Sequence, residues 1–186
     1  MVLTSDPNNP NKFKYETDFL IRRIRDRGIV NADSVVVDFG CGMGRVSRAL
    51  VEAFSCRVIG VDFSEVMLKH ARTYVGKTDR FETAVTYQTP NSVDVVVCTF
   101  VLQHVEDPAA EIAAIENMLK PGGWLVVVNE NHRLVPQGVR MGQVEWINDG
   151  FDVLATLDST FERVHSQIYM NTDHKIVYYR KKVDQH

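Results

Sequence analysis

Residues Ser34–Gly44 read S-V-V-V-D-F-G-C-G-M-G, and the rest of the chain is organised around them. Three consecutive β-branched valines, Val35 to Val37, make a short apolar run of the kind that a parallel sheet buries on both faces. Asp38 follows the valines, and glycines then recur at alternating positions, Gly40, Gly42 and Gly44. Without a Cβ at these sites the backbone can turn through conformations closed to other residues and lie directly against a ligand. The pattern predicts a buried strand that turns sharply into a helix starting near Gly44. Asp38 then stands at the strand's carboxyl end, and the positive end of the helix points into the same space.

The glycine spacing discriminates between ligands. A dinucleotide fingerprint, G-x-G-x-x-G, puts its third glycine at position 45, where this chain has Arg45. The pattern present is D-x-G-x-G-x-G. A pyrophosphate is poorly served by a carboxylate at Asp38, whereas a cationic amino group is well served by it. The stretch resembles the first motif of the class I methyltransferases that use S-adenosylmethionine, whose acid-plus-glycine loop holds the amino-acid end of the cofactor. The resemblance implies that Asp38, Gly40, Cys41, Gly42 and Gly44 contact the cofactor. It also implies an α/β fold, a doubly wound and mostly parallel seven-stranded sheet with an antiparallel C-terminal hairpin strand and helices on both faces. For the glycines taken alone, a merely structural turn is the alternative.

Downstream, Val46, Leu50, Ala53 and Phe54 form one apolar helix face. A second strand, Arg57 to Asp62, again ends in an acid, about 20 residues past the glycine loop, where a doubly wound fold places a carboxylate on a ribose. Ser64 serves as the N-cap of the next helix, which leaves Asp62 for the ribose, and Phe63 is placed to touch the adenine face. That helix, Glu65 to about Val75, should turn Met67, Ala71, Tyr74 and Val75 inward. A third strand belongs around Arg80–Tyr87. Methyltransferases of this type carry an acid there for the adenine amino group, and Glu82 is the nearest match.

Asp94–Phe100, D-V-V-V-C-T-F, predicts a fourth buried strand, followed by V-L-Q-H-V-E-D-P. The segment Val101–Pro108 resembles the v-L-x-H-v-x-D-P pattern of the small-molecule methyltransferases grouped as type 11. Phe100, Gln103 and His104 then lie at a strand's carboxyl end, where ligands sit in open α/β sheets, and Phe100 joins the cofactor contacts. His104 either accepts a proton or packs over the cofactor. Asp107 is an N-cap with Pro108 at the first helical position, Ile112, Ile115 and Leu119 face inward, and Lys120-Pro121-Gly122-Gly123 ends that helix.

The fifth strand is expected at Trp124–Glu130, and N-E-N-H-R, Asn129–Arg133, at its end reads as an acceptor-binding loop or a solvated one. A short helix is expected near Gln143–Asn148. A hairpin then runs from Phe161–Tyr169 through Asn171-Thr172-Asp173 into Lys175–Tyr179, and so tight a connection makes its strands antiparallel. At the other end, residues 1–12 contain D-P-N-N-P and read as a mobile arm. A helix from about Lys14 follows and ends at Gly28. Its Arg22, Arg23, Arg25 and Arg27 read as a solvated face, and Tyr15 and Phe19 as possible covers of the cofactor.

With 186 residues, 45% of them hydrophobic, the chain fills one core and is short for two, so 1–186 reads as a single S-adenosylmethionine-binding domain. A net charge of −3 provides no basic field for a nucleic-acid backbone, which disfavours nucleic acid as a partner. The three cysteines, Cys41, Cys56 and Cys98, lack metal-site spacing and fit reduced thiols in the cytoplasm. No membrane span, signal pattern or metal site is indicated. The oligomeric state is not encoded in any pattern here.

The expected function is therefore S-adenosylmethionine-dependent methyl transfer to a small-molecule acceptor. Amino-group nucleic-acid methyltransferases would carry an Asp/Asn-Pro-Pro-Tyr-like segment where this chain has Thr99-Phe100-Val101-Leu102. The loops at 40–44, 100–104 and 129–133 are expected to face one crevice, with His104, Glu130 and His132 as candidate bases. A non-catalytic cofactor-binding or partner subunit is the alternative, and an NAD-dependent oxidoreductase is disfavoured by Arg45.

Overall fold

A computed structural model of the chain describes residues 11–141, 143–170 and 174–183. The valine run forms β1 (Val35–Phe39), in which Val36 and Val37 are fully buried, as β-branched residues in the middle of a parallel sheet should be. The glycine turn leads into α2 (Arg45–Phe54), preceded in the chain by α1 (Lys12–Arg27). β2 (Arg57–Val61) pairs in parallel with β1, Val37 opposite Ile59 and Phe39 opposite Val61. Asp38 and Asp62 are thereby brought to the same end of neighbouring strands. Ser64 caps α3 (Glu65–Val75) by accepting the Met67 amide at 3.3 Å, and β3 (Phe81–Ala84) extends the parallel pairing on β2. α1 ends at Gly28, left-handed at φ 62°, whose amide bonds the Arg25 carbonyl, and α1 packs on α2 as α2 packs on α3.

β4 (Val93–Thr99) follows, with Val93 and Val95–Cys98 fully buried. α4 (Pro108–Met118) begins as its sequence predicts, with the Asp107 carboxylate accepting the Ala110 amide at 3.0 Å and Pro108 in the first turn. Ile112, Ile115 and Leu119 are all buried. β5 (Leu119–Asn129) comes next, then a separate two-stranded antiparallel sheet of β6 (His132–Arg140) and β7 (Gln143–Asp152). α5 (Val153–Thr160) packs on α4, and β8 (Glu162–Ile168) and β9 (Lys175–Arg180) form the expected hairpin. The large sheet has seven strands in the order β3-β2-β1-β4-β5-β9-β8, and β9 runs antiparallel to both of its neighbours.

Two compact units emerge along the chain, one of Met1–Tyr87 with Ser92–Val97 and one of Gln88–Asn91 with Cys98–His186. Among the described residues, no helix is long and apolar enough to cross a membrane.

Several expectations need correction. The segment near Gln143–Asn148 is not a helix but part of β7, because Gln143–Arg140 and Val144–Val139 pair across a turn and commit the backbone to a hairpin. The helix instead begins ten residues later at α5, where the Asp152 side chain accepts the Ala155 amide at 2.8 Å. The Lys120–Gly123 stretch does not separate α4 from its strand, since β5 already starts at Leu119. On α3 the inward residues are Leu68 and Ala71, while Tyr74 is exposed and carries the Arg48 guanidinium over its ring at 5.2 Å. Of the expected arm, Asn11 and Lys12 belong to the cap and first turn of α1, and residues 1–10 lie outside the described residues. So does the Asn171-Thr172-Asp173 turn.

Candidate active site

All three loop glycines take positive φ, 74° at Gly40, 53° at Gly42 and 86° at Gly44. The reasons differ at two of them. A Cβ on Gly44 would stand 3.1 Å from Ala71 Cβ and Val75 Cγ2, so the close approach of α3 to the start of α2 demands glycine. A Cβ on Gly42 would meet nothing within 4 Å, so there the demand is conformational and the space over the loop is open. The Gly40 and Cys41 amides both donate to the Val61 carbonyl, at 2.8 and 2.9 Å, which ties the turn to the end of β2.

Asp38 is buried at the base of this loop, 1% exposed. Ser47, on the first turn of α2, donates its hydroxyl to Asp38 Oδ2 at 2.6 Å. Burial pushes the carboxyl up to about 6, and the Ser47 bond and the Arg45 charge only partly oppose it. A carboxylate offers about four acceptor positions, so a buried one this sparsely supplied with donors favours a cationic partner.

Asp62 is not left free by the Ser64 cap. Its Oδ2 accepts the Gly42 amide and its Oδ1 the Ser64 amide, each at 2.9 Å. Two hydrogen bonds still leave acceptor capacity on a carboxylate, enough for a pair of hydroxyls. Phe63 beside it is 91% exposed, a bare ring next to the acid. Cys41 packs its side chain into a small core with Leu68, Ala71 and Phe81 while its thiol donates to the Gly42 carbonyl at 3.6 Å, and burial raises that thiol well above the usual range. Glu82 sits on β3 opposite Ile59, and its carboxylate is engaged by Arg57, Nη2 to Oε1 at 2.7 Å, at the amino end of β2. The structure therefore does not bring Glu82 together with Asp62.

Sequence reasoning missed two residues here. Gly60 lies inside β2, where a Cβ would stand 3.0 Å from both Cys41 Sγ and Phe81 Cε2. A glycine within an apolar strand was the available signal. Arg45, noted only for not being glycine, donates from Nη1 to the Phe13 carbonyl at 3.0 Å and to the Thr17 hydroxyl, with its guanidinium over the Phe13 ring. It fastens α1 to the first turn of α2.

In the second unit, the 100–104 and 129–133 segments come together as expected, through the buried Gln103. Its side-chain oxygen accepts the Glu130 amide at 2.8 Å, its backbone amide donates to Asn129 Oδ1 at 3.3 Å, and its carbonyl accepts the Leu134 amide at 2.6 Å. Its Nε2 lies 3.2 Å from His104 Nε2, and the His104 ring leans on Trp146 of β7 at 4.7 Å between centroids. Desolvation lowers the His104 pKa against the opposing pull of Glu130. Arg133 holds β6 in place by donating to Asp149 Oδ2 at 2.6 Å and to the Glu106 carbonyl.

Phe100 is held at φ 56°, a left-handed conformation that costs a residue with a side chain about 1–2 kcal/mol. Its amide donates to the Val128 carbonyl at 2.6 Å. Its ring meets Tyr169 and His174 edge-on, at 6.0 and 5.1 Å. His174 Nδ1 stands 3.4 Å from Glu130 Oε1, a pairing no sequence pattern announced. His132 opens β6 opposite Asp152. Among the described residues, no cluster of His, Cys, Asp and Glu could hold a metal ion.

Residues 37–127 match the family described as a methyltransferase domain. A ubiquinone biosynthesis O-methyltransferase of Thiobacillus denitrificans is 38% identical over 127 residues, 64% of this chain and 54% of that one. The chain thus spans about half the length of the curated relatives it matches. Among solved structures, an S-adenosylmethionine dependent methyltransferase from Mesorhizobium loti aligns with TM-score 0.64 at 23% identity, over 89% of this chain and 100% of that one. The N-methyltransferase NodS from Bradyrhizobium japonicum, in complex with S-adenosyl-L-homocysteine, aligns with TM-score 0.66 at 21% identity, over 94% and 89%. Both share the fold described above. Over residues 37–127, a span that includes the glycine loop and the Val101–Pro108 segment, the chain matches the methyltransferase-domain family.

Proposed function

We propose that the chain is an enzyme that transfers a methyl group from S-adenosylmethionine to a hydroxyl of a small molecule. The observation that carries this is the pair of carboxylates at the glycine loop, Asp38 buried at its base and Asp62 bonded to its middle amide. The group fits the residues present. Asp38 has the burial and the spare acceptor positions for a cationic amino group, Gly42 leaves room over the loop, and Asp62 retains capacity for two ribose hydroxyls. Gly40, Cys41 and Gly44 contribute backbone to that contact, and Phe63 offers a face to the adenine. Glu82 would reach the adenine only by leaving Arg57, so the base is held chiefly by Phe63.

When bound, the cofactor supplies an activated methyl group with its leaving group already in place. What remains for the protein is alignment and exclusion of water. On the acceptor side we assign Phe100, His104, Glu130 and His132 to the wall around the hydroxyl. His104 stays neutral near pH 7 because desolvation lowers its pKa, and the Gln103 amide fixes its ring. Oxygen as the acceptor atom follows the O-methyltransferase names of the relatives. The division between the two units falls within β4, which supports treating the chain as one domain, and its buried free thiols suit the cytoplasm.

Incubation with methyl-labelled S-adenosylmethionine and fractionated metabolite pools tests this: label should pass to a small hydroxylated product. A protein that binds the cofactor but labels nothing would favour the non-catalytic subunit instead.

A further inference from the structure

Positions 45, 48, 49 and 52 recur at helical spacing and share one face of α2, and positions 13, 14, 17 and 18 do the same on α1. The two faces enclose a cavity of about 430 Å³, with Phe13, Lys14 and Thr17 from α1, Arg45 and Arg48 from α2 and Tyr74 from α3 in its walls. Ala49 lines it as well, and so small a side chain leaves the space between the helices open. Its size is within the range that small ligands occupy. All of these residues belong to the first compact unit.

The walls carry three cations and two carboxylates, in a chain whose net charge is −3. Lys14 is paired with Asp18, Nζ to Oδ2 at 2.9 Å, and Arg48 with Glu52, Nε to Oε1 at 2.7 Å. Arg45 is the surplus. Among the described residues its Nη1 donates to neutral oxygens, the Phe13 carbonyl at 3.0 Å and the Thr17 hydroxyl. Asp38, beneath the glycine loop, feels that charge without a hydrogen bond to it. A half-buried guanidinium supplied in this way favours an anion beside it. The amino end of α1 adds to the surplus, since its first turn holds no acid and the Asn11 side chain makes no capping bond. Arg45 lies over the Phe13 ring at 5.4 Å and Arg48 over the Tyr74 ring at 5.2 Å. Stacking takes a face of each planar fork and leaves its N–H edge for an oxyanion.

We propose that this groove is a second ligand site, which binds the phosphate monoester of a small molecule. A carboxylate would cancel one charge. The surplus is one full cation with the partial charge of a helix end, which a monoester of about −1.5 to −2 at pH 7 matches more closely. Its terminal oxygens can accept from Arg45, Arg48 and Lys14 together. A polyanion fits less well. The groove continues along α1 and α2 toward Arg22 and Arg25, and Asp18 and Glu52 line both stretches of it. An extended phosphodiester backbone would have to pass those two carboxylates, whereas a small dianion stops at the Arg45 end.

The full chain, as wild type and as Arg45→Gln, Arg48→Gln, Glu52→Gln and Arg22→Gln, is titrated with phenyl phosphate by calorimetry and by amide NMR, with phenol as the neutral comparator. Phenyl phosphate should saturate the wild type within about 10 mM, with shifts centred on residues 13–17 and 45–49, and phenol should not bind. Arg45→Gln and Arg48→Gln should each weaken binding about tenfold or more, the scale of one charged hydrogen bond. Arg48 is exposed and its loss leaves the Arg45 bonds to α1 in place, so it reads the site even where Arg45→Gln loosens that helix. Glu52→Gln releases Arg48 and should tighten binding. Arg22→Gln removes an equal charge from the far stretch of the groove and should change affinity by less than about twofold. Failure to saturate, equal binding of phenol, a loss in Arg22→Gln as large as in Arg48→Gln, shifts centred on residues 40–44, or tighter binding of a single-stranded oligonucleotide than of phenyl phosphate would each overturn the site.

Discussion

Asp62 Oδ2 accepts the Gly42 amide at 2.9 Å, so the acid after β2 and the middle of the glycine loop form one hydrogen-bonded unit. Whatever lies against the loop is therefore met by a backbone that Asp62 itself holds in shape. Asp62→Ala should weaken S-adenosylhomocysteine binding by about 1.5–3 kcal/mol, the scale for losing a charged acceptor. Asp62→Asn keeps one oxygen and should lose less. Equal affinities for all three proteins would remove Asp62 from the ligand.

Gly44→Ala should destabilise the fold by about 1–3 kcal/mol. The new methyl meets Ala71 and Val75 of α3 at 3.1 Å, and φ of 86° is unfavourable for any L side chain. Gly42→Ala carries the conformational cost without the clash, since nothing lies within 4 Å of its Cβ, so it should be the milder of the two. Urea midpoints of the two variants give the order directly, and a reversed order would contradict the packing described.

Asp38 makes the free protein respond to pH. Burial raises its folded-state pKa to about 6, above an unfolded value of about 3.9. The protonated form is thus the one favoured by folding. Its contribution is fully present below about pH 4 and is lost as pH rises through about 6, on the order of 2–3 kcal/mol. Stability of Asp38→Asn should be flatter over this window. A cationic ligand prefers the ionised form, so S-adenosylmethionine affinity should fall as pH drops below about 6, in wild type and not in Asp38→Asn. Parallel profiles for the two would remove Asp38 from the amino group.

The parts of the fold that were legible in the sequence are those where one local constraint dominates. Val35–Val37, the three glycines, Ser64, and the Asp107–Pro108 pair each name their own conformation, because burial on two faces, positive φ or a cap admits few residue types. β6 and β7 were not legible. Most of their side chains are exposed, so no alternation of burial marks the strands, and Pro136 and Gly138 read as breakers although they sit at a register shift. At the site, the acids and glycines announced themselves by spacing. Arg45 clamping Phe13 and His174 meeting Glu130 did not, since each joins residues far apart in the chain.

Gln103 is the residue whose loss should most disturb the acceptor side. It is buried, and its side-chain oxygen takes the Glu130 amide at 2.8 Å, so Gln103→Leu leaves that amide without its acceptor. A cost of about 1–3 kcal/mol is expected, together with faster hydrogen exchange at Glu130 and Leu134. Exchange at Gly42 serves as the internal reference. Unaltered exchange at Glu130 would show that Gln103 does not hold the segment.

The central claim, that the acid-flanked glycine loop holds S-adenosylmethionine and not a dinucleotide, is tested most directly by calorimetric titration with S-adenosylmethionine, S-adenosylhomocysteine and NAD in turn. Saturable binding of both adenosyl ligands, weakened by Asp62→Ala, with no heat from NAD, is the predicted result. Binding of NAD with no response to either adenosyl ligand would contradict it.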